Sequence, residues 1–426
     1  MRLSSPSPVR ERGPGGEASL LPSLRTMDNE IYVYTVAGEP SGDLHASLVV
    51  RCLQERHPAR FRGAAGPLMR AAGVVPDYHS DNWGTVSFTG AFSRIVYLWL
   101  TGLAILRKLK RRPPDVVMPV DFGAFNMGWT RRLHDRIPSA KILYYFPPGS
   151  WRPQGRDYRR LAEITDVVAT PFAHSARHLR ACGVNAYWVG HPVLDRLQPL
   201  ADRAAFRQEH GLPPGNPVIG VLPGSRSLER NCLGAPLLDT ITWLRERLPE
   251  ATFLWSALPW RQPFPADRRA AATPGVTLVE DSATLMQASD LVITAMGTAT
   301  LEAAAADCLP IAVYRGTWGM FLQWKYTYLA RMSAFALPNI LLGENYLPEL
   351  LHTEVNPERL GGEVLNIVVS PERQAQIRAG NARVRALLGT PGASGRTAEM
   401  LWRLAHGDTD LDDLALPLPE EEAIVL

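Results

Sequence analysis

Cysteine is scarce: the 426-residue chain has four, Cys52, Cys182, Cys232 and Cys308, and no two form a CxxC pair. That scarcity argues against a disulfide framework or a zinc ribbon and points to a reducing, cytoplasmic setting. Charge of one sign is also lacking, with 45 basic against 42 acidic residues and a net charge of +3. So even a balance announces no nucleic-acid partner. No solenoid-type repeat is visible. Nor is there an apolar run long enough to span a membrane. The stretch Ile95 to Leu106, IVYLWLTGLAIL, has twelve residues, where a bilayer-crossing helix needs about 20. It is preceded by Arg94 and followed by Arg107, Lys108, Lys110, Arg111 and Arg112. Two readings fit it equally: a buried core helix, or an interfacial helix whose basic flank meets anionic lipid.

What is present is alternation. Short apolar runs such as IYVYTVA, DVVMPV and KILYYF are separated by helical stretches, and after a proline-rich break between Gly190 and Pro217 a second series follows: VIGVLP, ATFLWSAL, VTLVE, DLVITA and PIAVYR. Such alternation implies βαβ units and parallel sheets. The expected fold is therefore α/β, two Rossmann-like domains facing a cleft, with a helical C-terminal segment. Expected boundaries are a disordered, Pro/Gly/Ser/Arg-rich leader over 1–28 without a secretory-signal core, an N-terminal domain over 29–200 and a C-terminal domain over 201–390. A closing helix over 391–407 and a loose acidic tail over 408–426 complete the expectation.

Three strand-to-helix turns carry the chemistry. The first, after IYVYTVA, contains Gly38, Glu39, Ser41, Gly42 and Asp43, with glycines that permit close ligand approach; it is not GxGxxG, which disfavours a dinucleotide dehydrogenase. In the second, Gly224 and Ser225 suit a backbone nest, and Arg226 brings a charged fork suited to phosphate oxygens. The third places Gly297, Thr298 and Thr300 at a helix start fit for a diphosphate, with Glu302 positioned for ribose hydroxyls. No Walker lysine or DxD pair accompanies them, so no metal cofactor is expected and arginine and backbone dipoles would stabilise a leaving diphosphate. Asp121 ends the strand DVVMPV, where a carboxylate can take a proton from an attacking hydroxyl or simply cap the next helix. His191, in the linker between the halves, suits either a sugar contact or a satisfied hinge histidine.

The ordered strings VAGEPSGD, GAAGPLM, PVDFGAFN, GHPVLD, LPGSR followed by Glu229, GTATLE, LPN and LPELL resemble the lipid-A-disaccharide synthase family over about Ile31 to His406. The resemblance implies a GT-B type inverting glycosyltransferase that joins UDP-2,3-diacylglucosamine to 2,3-diacylglucosamine 1-phosphate and releases UDP. It assigns Arg226, Gly297, Thr298 and Glu302 to the UDP site, with Asn339 and Glu349 near it, and makes Asp121 the important aspartate. It further implies a glycolipid acceptor, a peripheral position on the inner face of the cytoplasmic membrane through residues 95–112, and a possible swapped homodimer. The sequence departs from the family pattern in three places. Ala124 stands where a second acid is common, SFTGAFS (Ser87 to Ser93) replaces a Gly-x-x-Glu, and Phe146 to Pro153 keeps one tryptophan, Trp151, of a tryptophan-rich loop. All three lie in the acceptor half, which leaves open a divergent transferase using another lipid acceptor, or a UDP-sugar epimerase.

Overall fold

A computed structural model describes residues 30–81, 83–84, 91–152, 158–213, 217–258, 263–317 and 334–420, with 91–94 as backbone only. The leader over 1–28, most of Ser87 to Ser93, and Pro153 lie outside the described residues. Seven strands form the first sheet: β1 (Ile31–Ala37), β2 (Ala59–Ala65), β3 (Val75–His79), β4 (Val116–Val120), β5 (Lys141–Tyr145), β6 (Val167–Thr170) and β7 (Ala186–Trp188). Six form the second: β8 (Val218–Leu222), β9 (Thr252–Ser256), β10 (Val276–Val279), β11 (Leu291–Ala295), β12 (Leu309–Tyr314) and β13 (Glu349–Leu351). The spatial orders are β3-β2-β1-β4-β5-β6-β7 and β10-β9-β8-β11-β12-β13, and the paired strands run parallel, as β1 with β2 and β4, and β8 with β9 and β11. All residues of β1, β4, β8 and β11 are buried. Helices cover both faces of each sheet, so these strands read as continuous apolar runs instead of alternating ones.

In each sheet the strand order reverses between the first and fourth strands, and ligands of open α/β sheets bind at the carboxyl ends beside such a reversal. The loops there are Gly38–Glu39 and Asp121–Phe122 in the first sheet, and Pro223–Arg226 and Met296–Gly297 in the second. Glycine is needed at two of these positions. A Cβ on Gly38 would lie 2.2 Å from the Phe122 ring, and Gly224, at φ 105°, would place one 2.4 Å from a Glu229 carboxylate oxygen.

Toward the C-terminus, helices Pro357–Val369 and Pro371–Leu388 pack on the second sheet, whereas helix Ala393–Ala405 returns to the first and packs on helix Pro40–Arg56. The segment expected to hang loose from Asp408 is instead docked over its described part. Leu411 is buried, Tyr187 Oη donates to the Thr409 carbonyl, Arg403 pairs with Asp413, and the Leu416 N–H donates to the Trp188 carbonyl at 2.8 Å. Its leucines supply the apolar contact that its acidic composition conceals.

The apolar stretch Ile95 to Leu106 belongs to a longer helix, Ala91–Arg111. Neither reading of it holds for its whole length. Ile105, Leu106 and Leu109 are buried in the first domain, but Ile95, Tyr97, Trp99 and Leu100 are 65, 49, 50 and 53% exposed. No helix among the described residues is long and apolar enough to cross a membrane.

Candidate active site

A cleft opens where the two reversal points face each other. The first domain contributes Ser41 and His45 from helix Pro40–Arg56, Asp121 after β4, Phe146 after β5 with the turn to Trp151, and Phe172 after β6; the linker adds His191. From the second domain come Thr298 and Leu301 of helix Thr298–Ala305, and Leu337. A second, smaller recess borders Glu39, Asp43, Asp81 and Ser225.

Asp121 occupies the left-handed region at φ 43°, as do Phe122 at 48° and Phe146 at 56°. Such backbone costs about 1–3 kcal/mol per residue and persists where surrounding structure enforces it. Here hydrogen bonds to the Asp121 backbone enforce it. The Asp121 carbonyl accepts from Asn126 Nδ2 and Tyr144 Oη, both at 2.9 Å, and its N–H donates to the Tyr145 carbonyl. Phe122, not Asp121, is the N-cap residue of helix Gly123–Arg136, and no side-chain cap bond is made, so the carboxylate is left to the cleft. Burial, then the negative charge of Glu39, raises its pKa to about 7, against the pull of the Phe122 N–H and Arg226.

Arg226 bridges the domains. Its Nη2 donates to Glu39 Oε2 at 2.8 Å and its Nη1 to Glu229 Oε1 at 3.1 Å. Glu229 Oε2 also accepts the backbone N–H groups of Ser225 and Arg226, each at 3.2 Å. The turn Gly224–Ser225–Arg226 is thus a working anion cradle with a carboxylate in it. Across from it, Gly297 (φ 143°) is the N-cap residue of helix Thr298–Ala305 and makes no side-chain cap bond, which leaves Thr298 on the cleft wall. Behind it, Glu302 is buried with Arg196 Nη1 3.5 Å from its Oε1; burial raises its pKa and Arg196 opposes the rise.

Other sequence candidates, Trp151 apart, lie back from the cleft. Thr300 is fully buried, its hydroxyl donating to the Gly297 carbonyl at 2.7 Å. Asn339 Nδ2 donates to Glu349 Oε1 at 2.8 Å and its Oδ1 accepts from Tyr346 and Leu347, while Glu349 also accepts the Phe335 and Ala336 N–H groups. That pair shapes the segment presenting Leu337. Asp43 caps the short helix Pro67–Ala71, accepting from Leu68 and Met69 N–H at 2.9 and 3.0 Å, and Gly42 is buried beneath it. Trp151 lines the cleft with the Arg152 guanidinium 4.9 Å over its ring. Arg107, Lys110, Arg111 and Arg112 are exposed and Lys108 pairs with Asp77, all on the helix Ala91–Arg111 side of the domain.

His191 is held by the linker backbone and also lines the cleft. Its N–H donates to the Leu388 carbonyl, and its Nδ1 accepts the Val193 N–H at 3.2 Å, which fixes the proton on Nε2. Burial, with His45 nearby, holds its pKa well below the usual value. His45 and Phe172 line the cleft although motif reading did not single them out; a histidine on a helix face carries no local signal separating cleft from core.

Two doubly wound sheets facing a cleft, one with an anion cradle and a glycine-led helix start, the other with a strand-end carboxylate, define a GT-B type nucleotide-sugar enzyme. Solved structures share the architecture. A Staphylococcus aureus MnaA–UDP structure superposes with a TM-score of 0.59 at 11% identity, covering 89% of this chain and 98% of that one. The calicheamicin glycosyltransferase CalG4 gives 0.54 at 14%, covering 87% and 98%. Within that class the chain belongs to the lipid-A-disaccharide synthetase family, whose model matches residues 33–397. The lipid-A-disaccharide synthase of Geobacter sulfurreducens is 32% identical over 372 residues, 86% of this chain and 95% of the relative. That of Chromohalobacter salexigens is 33% identical over 392, or 88% and 97%. The chain is accordingly a hexosyltransferase.

Proposed function

We propose that the protein transfers the sugar of UDP-2,3-diacylglucosamine to 2,3-diacylglucosamine 1-phosphate, giving lipid A disaccharide 1-phosphate and UDP. The observation that carries this is the meeting of Asp121 and the Thr298 helix start on one cleft, with the Arg226 cradle beside it, paired to Glu39 and near enough for its charge to act on Asp121. The acceptor hydroxyl attacks the anomeric carbon as the bond from that carbon to the diphosphate oxygen breaks, which inverts the centre. The hydroxyl proton passes to Asp121 and the bonding electrons leave on UDP. Arg226 exchanges carboxylate oxygens for diphosphate oxygens, and the helix N-terminus adds its dipole, so the charge is met by groups of the chain without a metal. Glu302 takes the ribose hydroxyls.

The acceptor and the sugar of the donor carry acyl chains, and the exposed apolar surface of Ile95 to Leu100 with the basic residues at the other end of the same helix suits a bilayer interface. The protein then works as a peripheral protein on the cytoplasmic face of the membrane. The deciding experiment incubates the purified protein with UDP-sugars and lipid-linked acceptors and reads products by mass spectrometry. UDP should appear only together with an acylated disaccharide. Epimerised donor formed without acceptor would replace this reading with an isomerase.

A further inference from the structure

His45 stands apart from every group assigned above. It is 4% exposed, yet it lines the cleft with Asp121 and Thr298. Its ring stacks on Phe146 at 4.7 Å with 12° between the planes and meets the His191 ring edge-on at 5.5 Å. Among the described residues neither of its ring nitrogens has a hydrogen-bond partner, and the ring stands on the wall of the cleft with its nitrogens open to that space. A polar ring fixed between Phe146 and His191 with its nitrogens toward the cleft is pre-oriented to hydrogen-bond a ligand that displaces water there. The clamp itself is strained: Phe146 adopts φ 56°, an unfavourable backbone for an aromatic residue, and in doing so lays its ring along the imidazole.

We propose that His45 is a specificity residue that hydrogen-bonds an uncharged substituent, hydroxyl or amide, on the sugar held in this cleft. This rests on the nucleotide-sugar reading above. The ring's state suits the task. Burial, reinforced by the positive charge of Arg196, lowers its pKa to about 3, so it stays neutral through the physiological range with one donor and one acceptor. The groups facing it are Phe146 and His191 from the first domain and linker, with Arg196 beyond; none engages its nitrogens. A buried hydrogen-bonding group discriminates strongly because the wrong ligand leaves it unpaired.

The test compares wild type, His45→Phe and His45→Gln by calorimetric titration with UDP, UDP-glucose and UDP-N-acetylglucosamine, with transfer kinetics alongside. His45→Phe keeps the ring stack and removes the nitrogens; it should leave UDP affinity within twofold and weaken UDP-sugar binding, or raise donor KM, about 10- to 100-fold. His45→Gln should recover part of that loss. A larger loss for the N-acetyl sugar assigns the amide, and an equal loss for both sugars assigns a shared hydroxyl; each supports the proposal. Unchanged sugar binding in His45→Phe overturns it, as does an equal fall in UDP and UDP-sugar affinity with a lowered Tm, which marks a packing role. If wild type binds none of the three ligands, the nucleotide-sugar reading itself has failed, and this inference with it.

Discussion

Asp121 joins strain, charge and chemistry at one residue. A base must be ionised, and with its pKa near 7 the carboxylate is mostly protonated at pH 6. Turnover should therefore climb through pH 7 and fall about tenfold per unit below it. Stability runs the other way. Because the folded state binds this proton more tightly than the unfolded chain, whose carboxyl titrates near 3.8, the group's contribution is complete below about pH 4 and is lost as the pH rises through 7. Asp121→Asn, which cannot ionise, should melt above wild type at pH 8 and level with it at pH 4, while turnover drops about 10²- to 10⁴-fold and UDP binding is kept. A pH–rate profile and melting curves at the two pH values check both halves. Asp121 was legible because a strand-end acid in a parallel sheet meets ligand by topology alone. His45 was not, since its neighbours Phe146 and His191 come from 101 and 146 positions further along the chain.

Helix Ala91–Arg111 shows what an element adds beyond its residues. Its twelve-residue apolar run could not be assigned as a whole because it divides: the half ending in Leu109 closes the first domain and the half beginning at Ile95 is exposed. Removing three large exposed side chains in Ile95→Ser, Trp99→Ser, Leu100→Ser should leave the fold intact. It should also cut binding to vesicles containing anionic lipid by at least about 100-fold, since each buried side chain of this size is worth about 1.5–3 kcal/mol. Lys110→Gln with Arg111→Gln should cost about 1 kcal/mol per charge and flatten the salt dependence. Sedimentation with vesicles at two salt concentrations measures both, and unaltered partitioning of the triple variant would leave this surface without a membrane role. The strands were the legible elements, because burial on both faces writes them as apolar runs. Asn339 and Glu349 were less so: the resemblance puts them near the UDP site, but their partners in this chain are each other and the backbone of 335–347.

At the scale of the molecule, the chain crosses between domains twice, and the two crossings are stapled together. Outbound, the linker passes Gly190 to Leu197; inbound, it runs from Leu388 to Ala393. The His191 N–H reaches the Leu388 carbonyl at 2.8 Å, and Arg396 Nε reaches the Val189 carbonyl at 2.8 Å. Asp195 closes the staple by accepting three backbone N–H groups at the start of helix Ala393–Ala405, from Gly392 at 2.6, Ala393 at 3.2 and Ser394 at 2.8 Å. That helix buries Ala398, Met400, Leu401 and Leu404 in the first domain, although the helix before it belongs to the second. The composition of the C-terminal stretch announces helices but not which domain they serve. The staple joins the two domains at the linker, as the Arg226–Glu39 pair at 2.8 Å joins them beside the cleft, and the expectation is that the first holds the second in register. Asp195→Ala leaves three N–H groups without their acceptor and should cost about 1–3 kcal/mol. Its effect should be directional: faster hydrogen exchange in residues 393–405, higher KM for both substrates, and little change in the exchange of β8 or β11. Asp195→Asn, which keeps one acceptor oxygen, should fall between. Uniformly faster exchange across both sheets would instead show that Asp195 supports the fold at large and does not govern the approach of the two domains.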